Sequence, residues 1–485
     1  MVNFRIISKI IGSLLFIEAF FMAWCVIIAF AYHEDDQAAF LISMLLTAGN
    51  GLLFLLMGRN SQNSLSRRDA YLLVTAVWLI FSFFGMFPFL LSGHISNVTD
   101  AYFETMSGFT TTGATIIDDV EVLPHGILFW RSLMQWIGGL GIVFFTIAIL
   151  PSLVSGSVKV FAAEATGPIK AKMHPRLTTT AKWIWSIYLL LTIGCGLSFF
   201  AAGMNWFEAT NYSMTTTATG GFAIHNDSTV FFQSPTIDYI CIIFQFLSGI
   251  NFTLLYISIF KGNLKALFKN SEVKLYVGIV AIATAWIMGV LITENGYGIE
   301  GAFRNALFHV VSFITTTGMF NDDVGTWPRI TWMILGVVMY IGACAGSTSG
   351  GFKCIRGVML LKVVQNNFRQ ILHPNAVLPV KVNGMNVPHT RLISLFAFFI
   401  LTVLMTIFTT TVMILAGIDN TNSACIALSC VSNVGPSLGT QVGPVMSWSI
   451  LPEHIKWTLC LLMLMGRLEI MTVLVLFTRS FWKEH

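Results

Sequence analysis

Charge is what this sequence has least of: 27 basic and 23 acidic side chains in 485 residues, or 10%. A soluble chain draws on roughly 25% charged residues to cover its surface, so a soluble enzyme is excluded. No C-x-x-C pair occurs among Cys25, Cys195, Cys241, Cys344, Cys354, Cys425, Cys430 and Cys460, which argues against both a zinc site and a redox motif. These cysteines sit mostly in apolar stretches and read as small hydrophobes. There is no basic run that would grip nucleic acid. There is also no G-x-x-x-x-G-K-[ST] phosphate loop and no H-E-x-x-H, and the ten histidines are scattered. A membrane enzyme would need an acid/base or metal constellation, and none is in sight.

What the chain has instead is apolar surface. Hydrophobic residues make up 55%, with 41 Phe and 13 Trp, and the mean hydropathy is +0.76. This composition is that of a polytopic membrane protein, with aromatic side chains suited to lipid and its interfaces. Ten apolar stretches, about 10–32, 38–57, 70–92, 127–154, 183–204, 239–260, 275–293, 329–345, 392–418 and 456–478, approach the ~17–25 residues that a spanning helix needs. The first is longer than a signal-peptide core and reads as a span.

Alternating these spans from a cytoplasmic N-terminus, with 329–345 and its sequel 353–370 as one crossing, puts 22 of the 27 Lys and Arg inside. That is the positive-inside pattern, with both termini cytoplasmic. Seventeen of the 23 acids fall outside. They are either solvated loop faces or an outer vestibule whose negative potential concentrates cations.

Four short amphipathic segments, about 100–109, 206–216, 299–314 and 421–431, lie in the outer connections. They are too short to span and read as re-entrant helices. Each precedes a polar stretch with a glycine: Thr110-Thr111-Thr112-Gly113-Ala114, Thr217-Ala218-Thr219-Gly220-Gly221, Thr315-Thr316-Thr317-Gly318-Met319 and the divergent Ser432-Asn433-Val434-Gly435-Pro436. Aligned on Gly113, Gly220, Gly318 and Gly435, they stand 107, 98 and 117 residues apart. A serine lies six residues before the glycine in three of them: Ser107, Ser312 and Ser429. Irregular backbone at membrane depth is tolerated only where it is buried or lines a cavity. Glycine lets such backbone turn successive carbonyls to one axis, where they replace a cation's hydration shell. Threonine hydroxyls add oxygens, and re-entrant helices aim the negative ends of their dipoles inward.

The expected architecture is therefore all-α and integral to the membrane. Residues 1–62 form two extra N-terminal helices, and four span–pore helix–span repeats (63–165, 166–265, 266–375 and 376–485) surround one central pore. Two further features stand out. The eighth span is interrupted by Gly342-Ala343-Cys344-Ala345-Gly346-Ser347-Thr348-Ser349-Gly350-Gly351-Phe352-Lys353, and Arg467 lies inside the last. Helix-interior glycine costs ~1 kcal/mol. A mid-membrane Arg costs ~2.5–3.5 kcal/mol, so it should face the bundle interior or water.

At the four glycine motifs the sequence resembles the Trk/Ktr/HKT superfamily of potassium transporters, and within it the bacterial TrkH family. The resemblance covers about residues 70–480, and the two N-terminal spans look TrkH-like too. It implies potassium uptake across the bacterial inner membrane through a gated pore. It further implies a filter of Thr111, Thr112 and Gly113; Ala218, Thr219 and Gly220; Thr316, Thr317 and Gly318; and Asn433, Val434 and Gly435. K+ is the implied permeant ion and no organic cofactor is expected. The loop with Gly346, Ser347, Thr348, Ser349, Gly350 and Gly351 becomes a gate beneath the filter, held by Arg467. The resemblance also implies a homodimer and a cytosolic nucleotide-binding regulatory subunit of the TrkA type. Coupled H+ or Na+ symport stands as the alternative. It calls for an ionisable relay at mid-depth, and the spans offer little beyond Arg467, Glu469 and Glu18.

Overall fold

The computed structural model describes residues 2–59, 61, 65–141, 177–440, 442–443 and 446–483. The inner half expected of span 127–154, and most of the basic Lys159–Lys182 connection, lie outside the described residues. Among those described, six helices are long and apolar enough to cross a membrane, or eight if each of two bent pairs is one span. The two others expected as spans appear as His125–Gly139 and Arg329–Ile341, of 15 and 13 residues.

Helices α1 (Phe4–Ala31) and α2 (Gln37–Met57) form the N-terminal pair. Gly12 and Gly51 let them cross backbone to backbone, which small residues permit at membrane interfaces. Four similar units follow. The first is α3 (Arg67–Gly85) with the short α4 (Phe87–Leu91), pore helix α5 (Val98–Phe109) and α6 (His125–Gly139). The second is α7 (Leu177–Ala201), pore helix α8 (Trp206–Ala218), and α9 (Pro235–Ser248) with α10 (Phe252–Phe260). After α11 (Leu264–Lys269) comes the third: α12 (Ser271–Glu294), pore helix α13 (Ile299–Ile314), α14 (Arg329–Ile341) and α15 (Cys354–Leu372). The fourth is α16 (His389–Leu415), pore helix α17 (Asn420–Ser432), and α18 (Glu453–Arg467) with α19 (Ile470–Leu474). A two-residue hairpin, Lys381–Val382 against Met385–Asn386, is the strand pairing among the described residues.

Three of the four pore helices start at side-chain caps, and the third, α13, starts after Gly298. Asn97, Asn205 and Asp419 accept from first-turn backbone N–H groups, and Asn205 forms a reciprocal capping box with Glu208. Each pore helix packs against the second long helix of the preceding unit: α8 on α6, α13 on α9, α17 on α14. The first, α5, packs on α18 of the last unit, which closes the circle. Pore helix α5 is accordingly buried on every side from Ala101 to Phe109, whereas α16 buries five side chains and leaves Ile400, Leu404, Ile407 and Phe408 more than half exposed. An all-round apolar helix with so little protein cover is one that lipid covers.

One expectation needs correction. Spans 239–260 and 456–478 are not continuous: α9 and α10 meet at 103°, and α18 meets the helical segment Ile470–Phe477 at 114°. The first break is capped by Asn251, whose side chain accepts from Thr253 and Leu254 N–H. At the second, Glu469 adopts φ 64°. Hydropathy sees such segments as unbroken because the residues at the break are still flanked by apolar ones.

In the α1–α2 turn, Asp36 is 2% exposed, and its carboxyl is pushed up to about 6, first by burial and then by Glu34. The folded state therefore holds a proton that the unfolded chain releases nearer its ordinary 3.8, and stability falls as pH rises through that interval. Asp36→Asn is expected to melt higher than the unsubstituted protein at pH above about 7, with the gain fading below about pH 5. Parallel melting curves across that range in detergent would refute this.

Candidate functional site

The four glycine stretches begin where the pore helices end, and all end alike. Thr111, Thr219, Thr316 and Asn433 take left-handed backbone at φ 53°, 54°, 57° and 56°. The next N–H in each strand turns back onto the helix: Thr112 to Ser107 O at 2.9 Å, Gly220 to Thr215 O at 3.0 Å, Thr317 to Ser312 O at 2.8 Å and Val434 to Ser429 O at 3.0 Å. Threonine in the left-handed region is strained, on the order of 1–3 kcal/mol, and such strain gathers at functional sites. The next residue is a glycine with positive φ each time: Gly113, Gly221, Gly318 and Gly435.

This corrects the register of the second stretch. Its strand is Thr219-Gly220-Gly221, one residue later than the expected Ala218-Thr219-Gly220. Ala218 is the last residue of α8, at the position of Thr110, Thr315 and Ser432. The first glycine of the Gly220-Gly221 pair invited the alignment, but the second carries the positive φ. With Gly221 in place, a hydroxyl residue lies six positions before the glycine in all four units, Thr215 joining Ser107, Ser312 and Ser429.

The four strands close a ring. A Cβ on Gly113 would stand well under 3.0 Å from the Gly220 carbonyl oxygen, and one on Gly221 likewise from Thr317 O. The same holds for Gly318 against Val434 O and, completing the circle, Gly435 against Thr112 O. All four glycines line a single cavity, with Asp118, Arg131, His225 and Asn226 higher on its wall. The first and third strands are alike in a second way: Thr110 and Thr112 hydroxyls meet at 2.8 Å, as do those of Thr315 and Thr317. The fourth strand ties to the first through Asn433 Nδ2, which donates to Thr112 Oγ1 at 2.9 Å.

Side chains of neighbouring helices brace these strands. Gln135 of α6 donates to Gly220 O at 2.7 Å and accepts from Phe222 N at 3.0 Å. Glu104 and Arg131, 0% and 2% exposed, pair at 2.9 Å, with Arg131 on the cavity wall. Glu104 also accepts from Ile116 N, and Arg131 donates to Ala223 O, so one buried ion pair fastens the exits of the first two strands. Further out, Asp100 pairs with Lys456, and Asp238 with Arg304. Part of the outer acidic excess is thus neutralised locally, while Asp118 remains on the cavity wall.

Below the ring sits the loop between α14 and α15. Its Thr348, Ser349 and Gly350 are buried. Thr348 Oγ1 donates to Thr217 O at 3.2 Å and Ser248 O at 3.3 Å. Gly350 N donates to Thr316 Oγ1 at 2.6 Å, and a Cβ there would collide with Ser432 O. Arg467 donates to Thr348 O at 2.8 Å and to Gly138 O and Gly139 O at 2.6 Å each. Through these contacts the loop and Arg467 touch all four units directly beneath the pore-helix ends. Glu469 pairs with Arg356 at 2.6 Å. Glu272 of α12 accepts from Ala345 N and Ile355 N, at 2.6 and 3.1 Å, and so clasps both ends of the loop. Lys353 Nζ donates to Ser349 O.

The chain is similar along its whole length to known proteins. A family model named TrkH and described as a cation transport protein matches residues 36–484. The Trk system potassium uptake protein TrkH of Halomonas elongata is 36% identical over 487 residues, 99% of this chain and 100% of that one. Its namesake in Escherichia coli K12 is 35% identical over 491 residues with the same coverage. The crystal structure of the potassium transporter TrkH from Vibrio parahaemolyticus superposes with a TM-score of 0.89 at 33% identity, over 99% of this chain and 100% of that one.

The chain belongs to the TrkH family.

Several residues around the ring and the loop escaped the sequence reading. Gly221 was detectable from the hydroxyl six residues earlier. Gln135, Glu104, Glu272, Lys353 and Arg356 carried no signal, because each acts on a segment at least four residues and mostly more than 20 residues away.

Two substitutions separate the possible registers. Gly221→Ala meets backbone at Thr317, whereas the nearest atoms to a Cβ on Gly220 belong to the Gln135 side chain. Gly221→Ala is expected to lose roughly tenfold or more of cation flux, the scale of 1–3 kcal/mol of forced strain, and Gly220→Ala far less. Equal losses in liposome flux would restore the earlier register. For the loop, Arg467→Ala and deletion of Gly346–Gly350 should each raise flux, by roughly tenfold for Arg467 at ~1.5–3 kcal/mol per charged hydrogen bond. Unchanged or reduced flux in well-folded variants would refute a gate here.

Proposed function

We propose that this chain is the membrane subunit of a potassium uptake system, passing K+ through one central pore. The filter strands are Thr111–Gly113, Thr219–Gly221, Thr316–Gly318 and Asn433–Gly435. The observation that carries this reading is the closed ring in which four positive-φ glycines from four units line one cavity. Backbone of that kind exchanges a cation's water shell for carbonyl oxygens at little reorganisation cost, because the strands are already braced. The relatives' names as potassium uptake proteins set the ion.

The gate in this reading is the loop Gly346–Gly351 with Arg467. The Arg467 guanidinium adds a positive charge beneath the filter and holds Thr348 in the conduction path. Releasing the loop requires moving Arg467 off Thr348, Gly138 and Gly139 together, so opening is a concerted step. The protein works in the bacterial inner membrane with both termini cytoplasmic, as a homodimer, its units divided near residues 63, 166, 266 and 376. The signal that moves the loop comes from a cytosolic nucleotide-binding subunit of the TrkA type, since this chain has no nucleotide-binding motif of its own.

Purified protein in liposomes carrying a K+ gradient should take up 86Rb+ without a proton or sodium gradient. K+ should compete and Na+ hardly at all. Uptake that begins only when a proton or sodium gradient is imposed would replace the passive pore with coupled symport.

A further inference from the structure

His225 lies four residues beyond Gly221 and lines the same cavity as the four filter glycines. Both its ring nitrogens are buried and neither makes a hydrogen bond. Each nonetheless faces a carboxylate: Nδ1 stands 3.5 Å from Glu121 Oε1 and Nε2 stands 3.5 Å from Glu208 Oε1. The ring is held in this plane by stacking on Phe231, with centroids 3.6 Å apart, and by the edge contact of Phe232. Its two acids come from different units. Glu208 is fixed by the α8 capping box, Oε2 accepting from Asn205 N at 3.0 Å, which leaves Oε1 toward the imidazole. Glu121 belongs to the outer loop of the first unit, and Asn226 fastens that loop by donating from Nδ2 to Asp119 Oδ1 at 2.8 Å and accepting from Val120 N at 2.9 Å.

A metal ion does not fit here. The carboxylates flank opposite edges of the ring, so no single ion reaches all three groups, and among the described residues no cluster of three ligating side chains occurs. A proton does fit. An imidazolium donates from both nitrogens, and a closure of a few tenths of an ångström on either side would turn two 3.5 Å approaches into charge-assisted hydrogen bonds.

We propose that His225 is a proton-binding site at the outer mouth that sets how strongly the mouth attracts the permeant cation. With a neutral ring, Glu121 and Glu208 present two negative charges beside the filter entrance; with a protonated ring they present one. Among the described residues the other charged groups on this cavity wall are Asp118 and Arg131, the latter paired with Glu104, while Asp119 shares the outer loop with Glu121 and Asp227 lies two residues beyond His225. Asp119 is held below the ordinary carboxylate range by the Asn226 amide. Carboxylates ordinarily change charge below the interval of about pH 5–8 in which histidine does. Outer acidification therefore lowers cation entry through His225. The inference rests on the pore reading above.

The test uses the full chain in liposomes with the lumen buffered near neutrality, 86Rb+ flux at low ionic strength, and outer pH taken from about 8 to about 5.5. The unsubstituted protein should lose several-fold of its flux, because negative potential at a mouth raises cation capture. His225→Gln should stay fast throughout, and His225→Lys slow throughout, both without a pH profile. A flat profile in the unsubstituted protein, or an unaltered one in His225→Gln, overturns the proposal. Absence of flux at any pH would count instead against the pore. The proton site then has its own readout: the His225 imidazole resonance in labelled protein should titrate at lower pH in Glu121→Gln, and an unmoved titration overturns the site.

Discussion

Each of four glycines has a neighbouring strand's carbonyl oxygen where a side chain would begin. That packing makes the four strands one object. No strand can be displaced without opening a gap against the next, and the circle from Gly113 to Gly435 returns to Thr112. Positive φ alone would permit asparagine at these positions; the close approach does not, so the two requirements together admit only glycine. The pore helices, their left-handed ends and the hydroxyl residues one turn earlier are arranged to bring the strands to this separation.

Around that ring the molecule spends its few charges in two different ways. On the outer side, basic groups are consumed by acids: Arg131 by Glu104, Lys456 by Asp100, Arg304 by Asp238. The last two pairs join helices of different units, and Asp118 remains on the cavity wall. On the inner side, Arg467 donates to backbone carbonyls of the loop and of α6. A buried charge satisfied by carbonyls of two separate units is a fastener between them, and its release is linked to their relative movement.

The long second helices give way at one level. Gly139, Ser248, Ile341 and Arg467 end α6, α9, α14 and α18 just beneath the pore-helix termini. Among the described residues, the third interruption is the one that enters the space below the ring. Its ends are held from elsewhere, by Glu272 on both flanks and by Asn251, whose Nδ2 donates to Ala345 O. The break in the second unit thus supplies a clamp for the loop of the third.

Hydropathy and repeat spacing by themselves determined that the chain spans a membrane, and that four pore helices lie near 100–109, 206–216, 299–314 and 421–431; the observed helices begin and end within two residues of these. Those properties are local: a helix too short to cross and a glycine stretch behind it are written in consecutive residues. Arg467 and the glycine-rich loop were also visible, because a charge or four glycines inside an apolar run is a conflict that local reading detects. Tertiary structure alone decided that Gly221, and not Gly220, meets Thr317, that Glu104 and Arg131 brace two strands, and that Glu121 and Glu208 converge on His225. These depend on which backbone atoms of distant units come within bonding reach. A one-residue shift in register leaves composition and hydropathy unchanged while moving every carbonyl in the ring, so only closing the ring selects between them.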